Sequence, residues 1–347
     1  MTASKPFSAR SQYNAMRRKV LRMLAGAVGY AGLGVGGVAT VHAERTLETT
    51  RIRLCRDSGL CVAPQYLAEE LLRAEGFTDV EYVPETSEVG TSKLVASGAA
   101  DMNMSFALST LVRVDAGEPI VLLAGVHVGC YELFGTPAIH TVRDLKGRRI
   151  AVPGAGSTHQ LFLSSILSYV GIDPRRDVNW IVVPRTKSKQ MLAEGEVDAY
   201  LAFPPEPQEM RQDGIGHVVL NSATDKPWSQ YFCCTVAGNR DFVSKYPVAT
   251  KRALRAILKA TDLCAAEPAR AAQFLVDHGY VASYQSALRT MQDIPYRNWR
   301  DYNPEDTVRF YGLRLQEVGM IKATPQKLIA QGTDWRFLNE LKRELKA

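Results

Sequence analysis

From Thr50 onward, short apolar or alternating runs take turns with longer segments that have helical spacing and end at glycines. Runs of the first kind predict strands, and segments of the second kind predict helices. The predicted strands cover 51–55, 80–83, 101–105, 120–124, 149–153, 180–183 and 197–201. The helices between them cover 65–75, 92–97, 108–116, 159–170 and 189–194. This alternation is typical of an α/β protein with mostly parallel sheets.

After Gly238 the pattern changes to helices alone. The predicted helices cover 248–266, 268–278, 283–292, 304–318 and 335–345. Pro247, Pro268 and Pro304 each stand where a helix begins, a position that proline favours. The sequence therefore predicts two α/β series followed by a helical tail.

The formal net charge of +6 is concentrated at the N-terminus. Residues 1–43 hold six Lys or Arg and no acidic residue, which leaves 36 basic and 36 acidic residues in 44–347. Paired arginines at Arg17 and Arg18, a weakly apolar Gly/Ala-rich run over 23–40 and Ala43 give the layout of a twin-arginine signal peptide. We expect cleavage after Ala43 and a periplasmic location, with an uncleaved anchor as the alternative. The neutral remainder removes nucleic acid from the expected partners.

Two segments of the chain echo each other. Residues 93–101 and 190–198 each contain a helix end, a glycine, one or two spacers and an aspartate that enters a strand. Either these are two unrelated helix–strand junctions, or the chain holds two similar α/β lobes.

A family resemblance rests on these segments and on one further motif. Residues 144–153 (DLKGRRIAVP), followed by Gly156 and Ser157, and the echoed segments, with Glu206 and Pro207 downstream, resemble the periplasmic substrate-binding proteins of nitrate/sulfonate/taurine-type ABC importers. That family includes binders of thiamine-pyrimidine precursors. The resemblance covers roughly residues 50–320 and depends on the order and spacing of several motifs.

The resemblance implies an α/β, two-lobe periplasmic binding protein fold (type II) that closes on a ligand held between the lobes. One lobe would comprise 44–129 plus 238–347 and the other 130–237, with crossovers near 128–134 and 232–237. The implied partners are a small-molecule ligand and the membrane subunits of an ABC permease, and we expect a monomer.

Candidate ligand-binding residues lie where predicted strands end, because ligands of open parallel sheets bind at the carboxyl ends of strands. Four loops meet this condition: 57–65, 105–109, 154–159 and 203–206. From these loops we select Gln65, Tyr66, Ser105, Phe106, Gly154, Gly156, Ser157, Thr158, His159, Phe203 and Glu206. For each of them, helix capping, core packing or a solvated surface position is the competing interpretation.

The loop 154–158 is the strongest candidate, because its glycines permit close backbone approach and its N–H groups and hydroxyls can bind an anion at a helix start. The ligand is expected to be a small anion such as a sulfonate, nitrate or an organic acid. The cleft loops show no clear arginine clamp, so a neutral heterocycle also stays open.

The six cysteines and the scattered histidines carry the remaining chemistry. Reduced, buried thiols are the favoured interpretation; a disulfide, if present, would join Cys130 to Cys233 or Cys234, with Cys55–Cys61 as the second choice. No Cys-x-x-Cys or His-x-x-x-His spacing occurs, and we expect no metal and no cofactor.

Binding without catalysis is therefore the expected function. The alternatives are a periplasmic ligand sensor and a pyrimidine-precursor synthase, which shares the implied fold but carries a larger cysteine cluster than the Cys233–Cys234 pair seen here.

Overall fold

Residues 46–85 and 90–345 are described by a computed structural model, and all of them fall in one unit, Arg45–Ala347. The predicted export signal over 1–43 lies outside the described residues. Among those that are described, no helix has the length and apolar character needed to cross a bilayer.

The described strands follow the predicted alternation and add three near the predicted crossovers and the edge of a sheet. They are β1 (Arg51–Arg56), β2 (Asp79–Pro84), β3 (Met102–Phe106), β4 (Ile120–Val128), β5 (Glu132–Gly135), β6 (Arg149–Val152), β7 (Asn179–Val182), β8 (Ala199–Ala202), β9 (His217–Asn221) and β10 (Phe232–Asn239).

These strands form two groups of sheets. In the first group, β1 pairs with β2 in parallel, and β10 lies between β3 and β4, antiparallel to both. In the second group, the order is β7-β6-β8-β5-β9, with β6 parallel to β7 and β8 and with β5 antiparallel to its two neighbours. Every residue of β4 is buried, as its continuous apolar run predicted.

The helices cover the sheets and form the C-terminal tail. They are α1 (Ala63–Leu67), α2 (Glu69–Ala74), α3 (Ser92–Ala96), α4 (Ala107–Asp115), α5 (Thr158–Tyr169), α6 (Arg185–Ala193), α7 (Glu206–Asp213), α8 (Arg240–Lys245), α9 (Pro247–Ala266), α10 (Pro268–Asp277), α11 (Tyr284–Asp293), α12 (Pro304–Glu317), α13 (Pro325–Gly332) and α14 (Arg336–Glu344). A large core of buried apolar residues runs through both groups of sheets, and a smaller cluster lies around Phe134 and Tyr200.

The echoed aspartates occupy the same structural position in the two groups of sheets. Asp101 accepts hydrogen bonds from the backbone N–H of Arg53 at 2.7 Å and from its guanidinium at 2.6 and 3.3 Å. Asp198 repeats this pattern on Arg149 at 2.8, 3.0 and 3.2 Å. Each aspartate stands directly before a strand, β3 or β8, and binds an arginine of an earlier strand, β1 or β6, which favours the interpretation of two similar α/β halves.

The differences from the sequence prediction are local. The helix predicted over 65–75 is divided in two at Ala68, and β5, β9, α7, α8 and α13 were not predicted as regular elements. Alternation is hard to detect in strands as short as the four residues of β5, all of which are buried.

Candidate functional site

The first group of sheets, with the elements that cover it, forms one half of the molecule, and the second group forms the other half. The strand ends of both halves open onto one cavity of about 670 Å³. Its lining comes from the residues that follow β1, β2 and β3 on one side and β6, β7 and β8 on the other. Carboxyl ends of parallel strands are the usual location of ligand sites in such sheets, and the volume is in the range of small-molecule sites. The cavity between the halves is therefore the candidate binding site.

One side of the cavity, which we call the arginine wall, consists of Tyr131, Thr158, His159, Arg185 and Phe203. The guanidinium of Arg185 lies 4.6 Å from the centre of the Phe203 ring. It is braced from behind, because Glu206 Oε1 lies 3.2 Å from its Nε atom. A guanidinium held in this way has a fixed orientation at the edge of the cavity.

Glu206 is held in turn by Tyr200, whose hydroxyl donates a hydrogen bond of 2.5 Å to Oε2. Burial raises the pKa of the Glu206 carboxyl, an effect that the positive charge of Arg185 opposes. Glu206 does not itself line the cavity. Its contacts make it a residue that positions Arg185.

His159 is the other nitrogen-bearing side chain of the arginine wall. Only 3% of it is exposed, and burial together with the nearby charge of Arg185 lowers its pKa to about 3. The imidazole is therefore neutral at physiological pH, and its Nε2 atom has no hydrogen-bond partner among the described residues. A buried, unsatisfied ring nitrogen beside an open cavity is a ready hydrogen-bonding group for a ligand.

The opposite side, which we call the acidic wall, consists of Arg56, Asp57, Glu85, Ser105 and Phe106. Burial raises the pKa of Asp57 to about 6, and two groups oppose this shift: the N–H of Gly59, which donates to Oδ1 at 2.7 Å, and the positive charge of Arg185. Arg56 extends over the Tyr280 ring at 5.0 Å and donates to the carbonyl of Gly279. The lining of this wall carries one more formal negative charge than positive charge.

Aromatic rings from both walls meet in the cavity. The Tyr131 ring lies 5.1 Å from that of Phe106 and 5.8 Å from that of Phe203, as measured between ring centres. These three rings supply an apolar surface between the charged groups, which suits a ligand with a carbon skeleton.

Part of the set predicted from sequence comes together in the cavity. Ser105, Phe106, Thr158, His159 and Phe203 all contribute to its lining. Each of the four predicted loops supplies at least one lining residue, so the strand-end rule located the region of this cavity.

Gln65 and Tyr66 lie behind the acidic wall rather than in the cavity. The side-chain amide of Gln65, fully buried, donates to the carbonyl of Cys55 and accepts from the N–H of Met104, both at 2.7 Å. The Tyr66 hydroxyl hydrogen-bonds the backbone of Asp57, and its ring stacks on Tyr280. Both residues hold the framework of the site.

The loop 154–158 offers less to a ligand than its sequence suggested. Ser157 caps α5 by accepting from the N–H of Gln160, and the N–H of Gly156 donates to the Gln160 side chain at 2.7 Å. Gly154, Gly156 and Ser157 do not line the cavity. The helix uses these groups to satisfy its own first turn, which was the competing interpretation.

The two arginines of the lining were missed in the sequence. Arg185 follows β7 and begins α6, so the strand-end rule, applied to the strand predicted over 180–183, would have found it. Arg56 is the last residue of β1 and directly precedes a loop that was selected. Because the two arginines come from distant strands, no local sequence motif contains both of them.

A cluster of thiols and one imidazole forms the floor of the cavity, where Cys61 and Cys234 contribute to the lining. Potential ligand atoms of Cys61, His127, Cys130 and Cys234 all lie within 4.8 Å of one another. All six cysteines are free and buried, and the Sγ atoms of Cys130 and Cys233 stand 3.0 Å apart. No spacing motif announced this cluster, because the fold assembles it from three separate segments.

Comparison with known proteins relates this chain to both binding proteins and enzymes. The NMT1/THI5-like family model matches residues 62–271. The nitrate/nitrite binding protein NrtA of Synechocystis sp. is 25% identical over 255 residues, which cover 65% of this chain and 55% of that protein. The 4-amino-5-hydroxymethyl-2-methylpyrimidine phosphate synthase THI13 of Saccharomyces cerevisiae is 24% identical over 213 residues, or 57% of this chain and 62% of the yeast protein. The chain thus spans about half the length of the nitrate-binding relative.

Solved structures share the fold over nearly the whole chain. The crystal structure of NrtA superposes with a TM-score of 0.72 at 17% identity, covering 87% of this chain and 90% of that one. The alkanesulfonate-binding protein SsuA from Xanthomonas axonopodis pv. citri, bound to MOPS, superposes with a TM-score of 0.64 at 17% identity, covering 84% and 100%. These neighbours confirm the two-lobe periplasmic binding protein fold expected from the sequence.

The extent of the family match and the shared fold agree with the resemblance found in the sequence motifs. The chain belongs to the NMT1/THI5-like family.

Proposed function

We propose that this protein is the solute-binding component of an ABC importer and that it captures a small amphoteric organic solute in the cavity between its halves. The solute would carry an acidic group for Arg185 and a hydrogen-bond donor or cationic group for Asp57. The single observation that carries this proposal is the opposed charge of the two walls of one cavity. Export to the periplasm by the twin-arginine route and delivery to a permease belong to the same proposal.

The charges of the lining support a dipolar ligand better than a simple anion. Arg185 sits on one wall and Glu206 stands behind it, whereas Asp57 and Glu85 lie on the other wall together with a single arginine, Arg56. A bare anion could reach two guanidiniums, but it would also meet the repulsion of three nearby carboxylates. A solute with opposite groups at its two ends satisfies both walls at once.

The size and the aromatic content of the cavity support an organic solute. A cavity of about 670 Å³ is far larger than nitrate or bicarbonate requires. The rings of Phe106, Tyr131 and Phe203 offer apolar surface to a carbon skeleton. An aminosulfonate or an amino acid with a modest apolar body combines the required features.

Contacts between the walls support a closing mechanism. Arg185 Nη1 donates to the Ser58 hydroxyl at 3.1 Å, and the N–H of Leu60 donates to the carbonyl of Pro204 at 3.1 Å. Both bonds join the loop after β1 to residues of the other half. A ligand that touches both walls would favour the closed arrangement by adding to these bonds.

The similarity to the yeast synthase supports a second candidate function, that of a pyrimidine-precursor synthase. In a binding protein the solute is recovered unchanged, whereas a synthase converts it.

A thermal-shift screen tests the proposal, with panels of plain sulfonates and carboxylates, aminosulfonates, amino acids and neutral pyrimidines. A ligand at about 100 times its dissociation constant stabilises the folded state by about 2.7 kcal/mol, which gives a clear rise in Tm. We expect the largest shifts from amphoteric compounds, and their recovery intact by mass spectrometry after prolonged incubation. Shifts confined to neutral pyrimidines, or chemical conversion of the bound compound, would contradict the proposal.

A further inference from the structure

The thiols and the imidazole at the cavity floor meet where the two halves of the chain are joined. His127 lies near the end of β4, Cys130 follows that strand, and Cys234 lies on β10, directly opposite His127 in the strand pairing. Cys61 comes from the 3₁₀ turn Leu60–Val62, which precedes α1. Exposure of these four side chains ranges from 0% for His127 to 7% for Cys130.

A bulge in β10 brings consecutive cysteines to the same region. The pairing of β10 with β4 shifts register between Phe232 and Cys234, which leaves Cys233 without a regular partner on β4. An extra residue of this kind bends the strand and redirects its side chains. Cys234 thereby faces Cys61, with their Sγ atoms 3.9 Å apart, while Cys233 faces Cys130.

The spacing of the sulfur atoms matches a metal site. With Zn–S bonds of about 2.3 Å, two thiolates of a tetrahedral zinc site stand about 3.8 Å apart. The Cys61–Cys234 separation of 3.9 Å agrees with that value, and the remaining ligand atoms lie within 4.8 Å. The four ligand atoms therefore lie close to the mutual separations that one tetrahedral ion requires.

The histidine supplies an independent observation. Its Nδ1 atom lies 3.2 Å from the carbonyl of Val128, which can accept an N–H from that nitrogen and fix the tautomer. Its Nε2 atom, fully buried, makes no hydrogen bond of normal geometry within the described residues. A buried imidazole oriented by a backbone carbonyl, with its other nitrogen unsatisfied among thiols, has the arrangement of a metal-ligating histidine.

We propose that Cys61, His127, Cys130 and Cys234 form a zinc site that joins the first strand–helix loop to both connections between the halves. Three cysteines and one histidine are an established ligand set for structural zinc. On binding, the three thiols release their protons to the solvent and the ion takes three thiolates and one neutral imidazole. The site is independent of the ligand proposed for the cavity above it.

The competing chemistry is a disulfide between Cys130 and Cys233, whose sulfurs stand 3.0 Å apart. It would withdraw Cys130 from the metal. Cys233→Ser separates the two alternatives, because it leaves all four proposed zinc ligands in place and removes one sulfur of the disulfide.

The test is zinc binding by the purified chain, kept reduced, stripped with a chelator and titrated with zinc ions alone. We expect one zinc per chain by elemental analysis, proton release on binding and a rise in Tm. Cys234→Ser and Cys61→Ser should each lower zinc affinity by about 100-fold or more, because even loss of an outer-shell partner costs about 10- to 100-fold. Cobalt in place of zinc should give the intense visible bands of tetrahedral thiolate coordination in the unsubstituted chain, and these bands should be lost in Cys234→Ser and Cys61→Ser.

Two controls separate metal binding from loss of a buried thiol. Cys264→Ser removes a fully buried thiol outside the cluster, and Cys233→Ser removes the disulfide partner; both variants should retain one zinc. Circular dichroism verifies that each variant is folded. The proposal is overturned if the reduced, folded chain takes up no zinc, or if Cys264→Ser loses zinc as fully as Cys234→Ser does.

Discussion

The two walls of the cavity are built from similar α/β halves, yet they carry opposite chemistry. The arginine wall presents a braced guanidinium, a neutral imidazole and two aromatic rings. The acidic wall presents two carboxylates, one guanidinium, a serine hydroxyl and one aromatic ring, and thiols form the floor of the cavity. Both scaffolds contain an Arg–Asp ion pair, which we call a clamp: Arg53–Asp101 in one half and Arg149–Asp198 in the other.

The contrast shows which part of a repeated fold is free to differ. Asp101 and Asp198 stand at the amino ends of β3 and β8, where they hold Arg53 and Arg149 in nearly identical geometry. The cavity lies at the carboxyl ends, where the two halves have diverged. Stability and recognition thus occupy opposite ends of the same strands.

The largest expected effect comes from removing the guanidinium of the arginine wall. Arg185→Met should weaken binding of an amphoteric ligand about 100-fold, or about 2.7 kcal/mol, because a charge-assisted hydrogen bond is lost from a partly buried site. Isothermal titration calorimetry measures the change. Arg185→Met combined with Glu206→Gln avoids leaving the buried carboxylate unpaired, and Arg176→Met, on a side chain 81% exposed, is the matched control. Unchanged affinity in the double variant would place the acidic group of the ligand elsewhere.

The pH dependence of stability tests whether the imidazole of His159 on the arginine wall is buried away from water. Its folded pKa of about 3 lies below the ordinary value of 6.5, so the unfolded chain binds more protons as the pH falls. The stability contributed by neutral His159 is complete above about pH 6.5 and is lost progressively toward pH 3, about 2 kcal/mol of it between pH 7 and pH 5. Urea unfolding across this range should show a smaller loss for His159→Gln than for the unsubstituted chain. If the free energy of unfolding falls equally with pH in both chains, the imidazole is hydrated in the folded protein.

Asp57 on the acidic wall should affect two kinds of ligand in opposite directions. Asp57→Asn is expected to weaken an aminosulfonate about tenfold, since one charged hydrogen bond is lost, and to strengthen a plain sulfonate by removing repulsion. Because the pKa of Asp57 is about 6, lowering the pH from 7 to 5 should act in the same directions as the substitution. A substitution that weakens both ligands alike would show that Asp57 only supports the loop.

The smallest effect concerns the two clamps. The Asp101 side chain is 8% exposed and that of Asp198 is 17%, and their arginines are 31% and 46% exposed. Since water screens the second pair more, Asp101→Ala should lower the free energy of unfolding by about 1 kcal/mol more than Asp198→Ala does. Equilibrium denaturation of the two variants gives the difference, and a larger loss for Asp198→Ala would reverse the inferred ranking.

Hydrophobic periodicity and helix-start signals were sufficient to predict most of the strands and helices. Period-two runs located β1, β2 and β3 within a residue or two, and the prolines at 247, 268 and 304 marked three helix starts. The strand-end rule then located the cavity, although it could not decide which side chains face it. Gln65 and Ser157 have the chemistry of ligand-binding residues, but the backbone groups of Met104 and Gln160 occupy them.

The proximity of groups that meet only through tertiary structure could not be predicted from local sequence patterns. Arg185 and Asp57 are far apart in the chain, and their place in the lining of one cavity depends on how the halves face each other. The same is true of the cysteine and histidine cluster, whose members share no spacing motif. Local patterns report local structure, whereas this site is made of long-range contacts.

The central claim is that the cavity recognises two opposite groups on one solute. Isothermal titration calorimetry of the purified chain at pH 7.5 tests it directly, with an aminoalkanesulfonate and the plain alkanesulfonate of the same length. The opposed walls predict that the aminosulfonate binds at least about tenfold more tightly, the value of one charged hydrogen bond. Equal or tighter binding of the plain sulfonate would contradict the account.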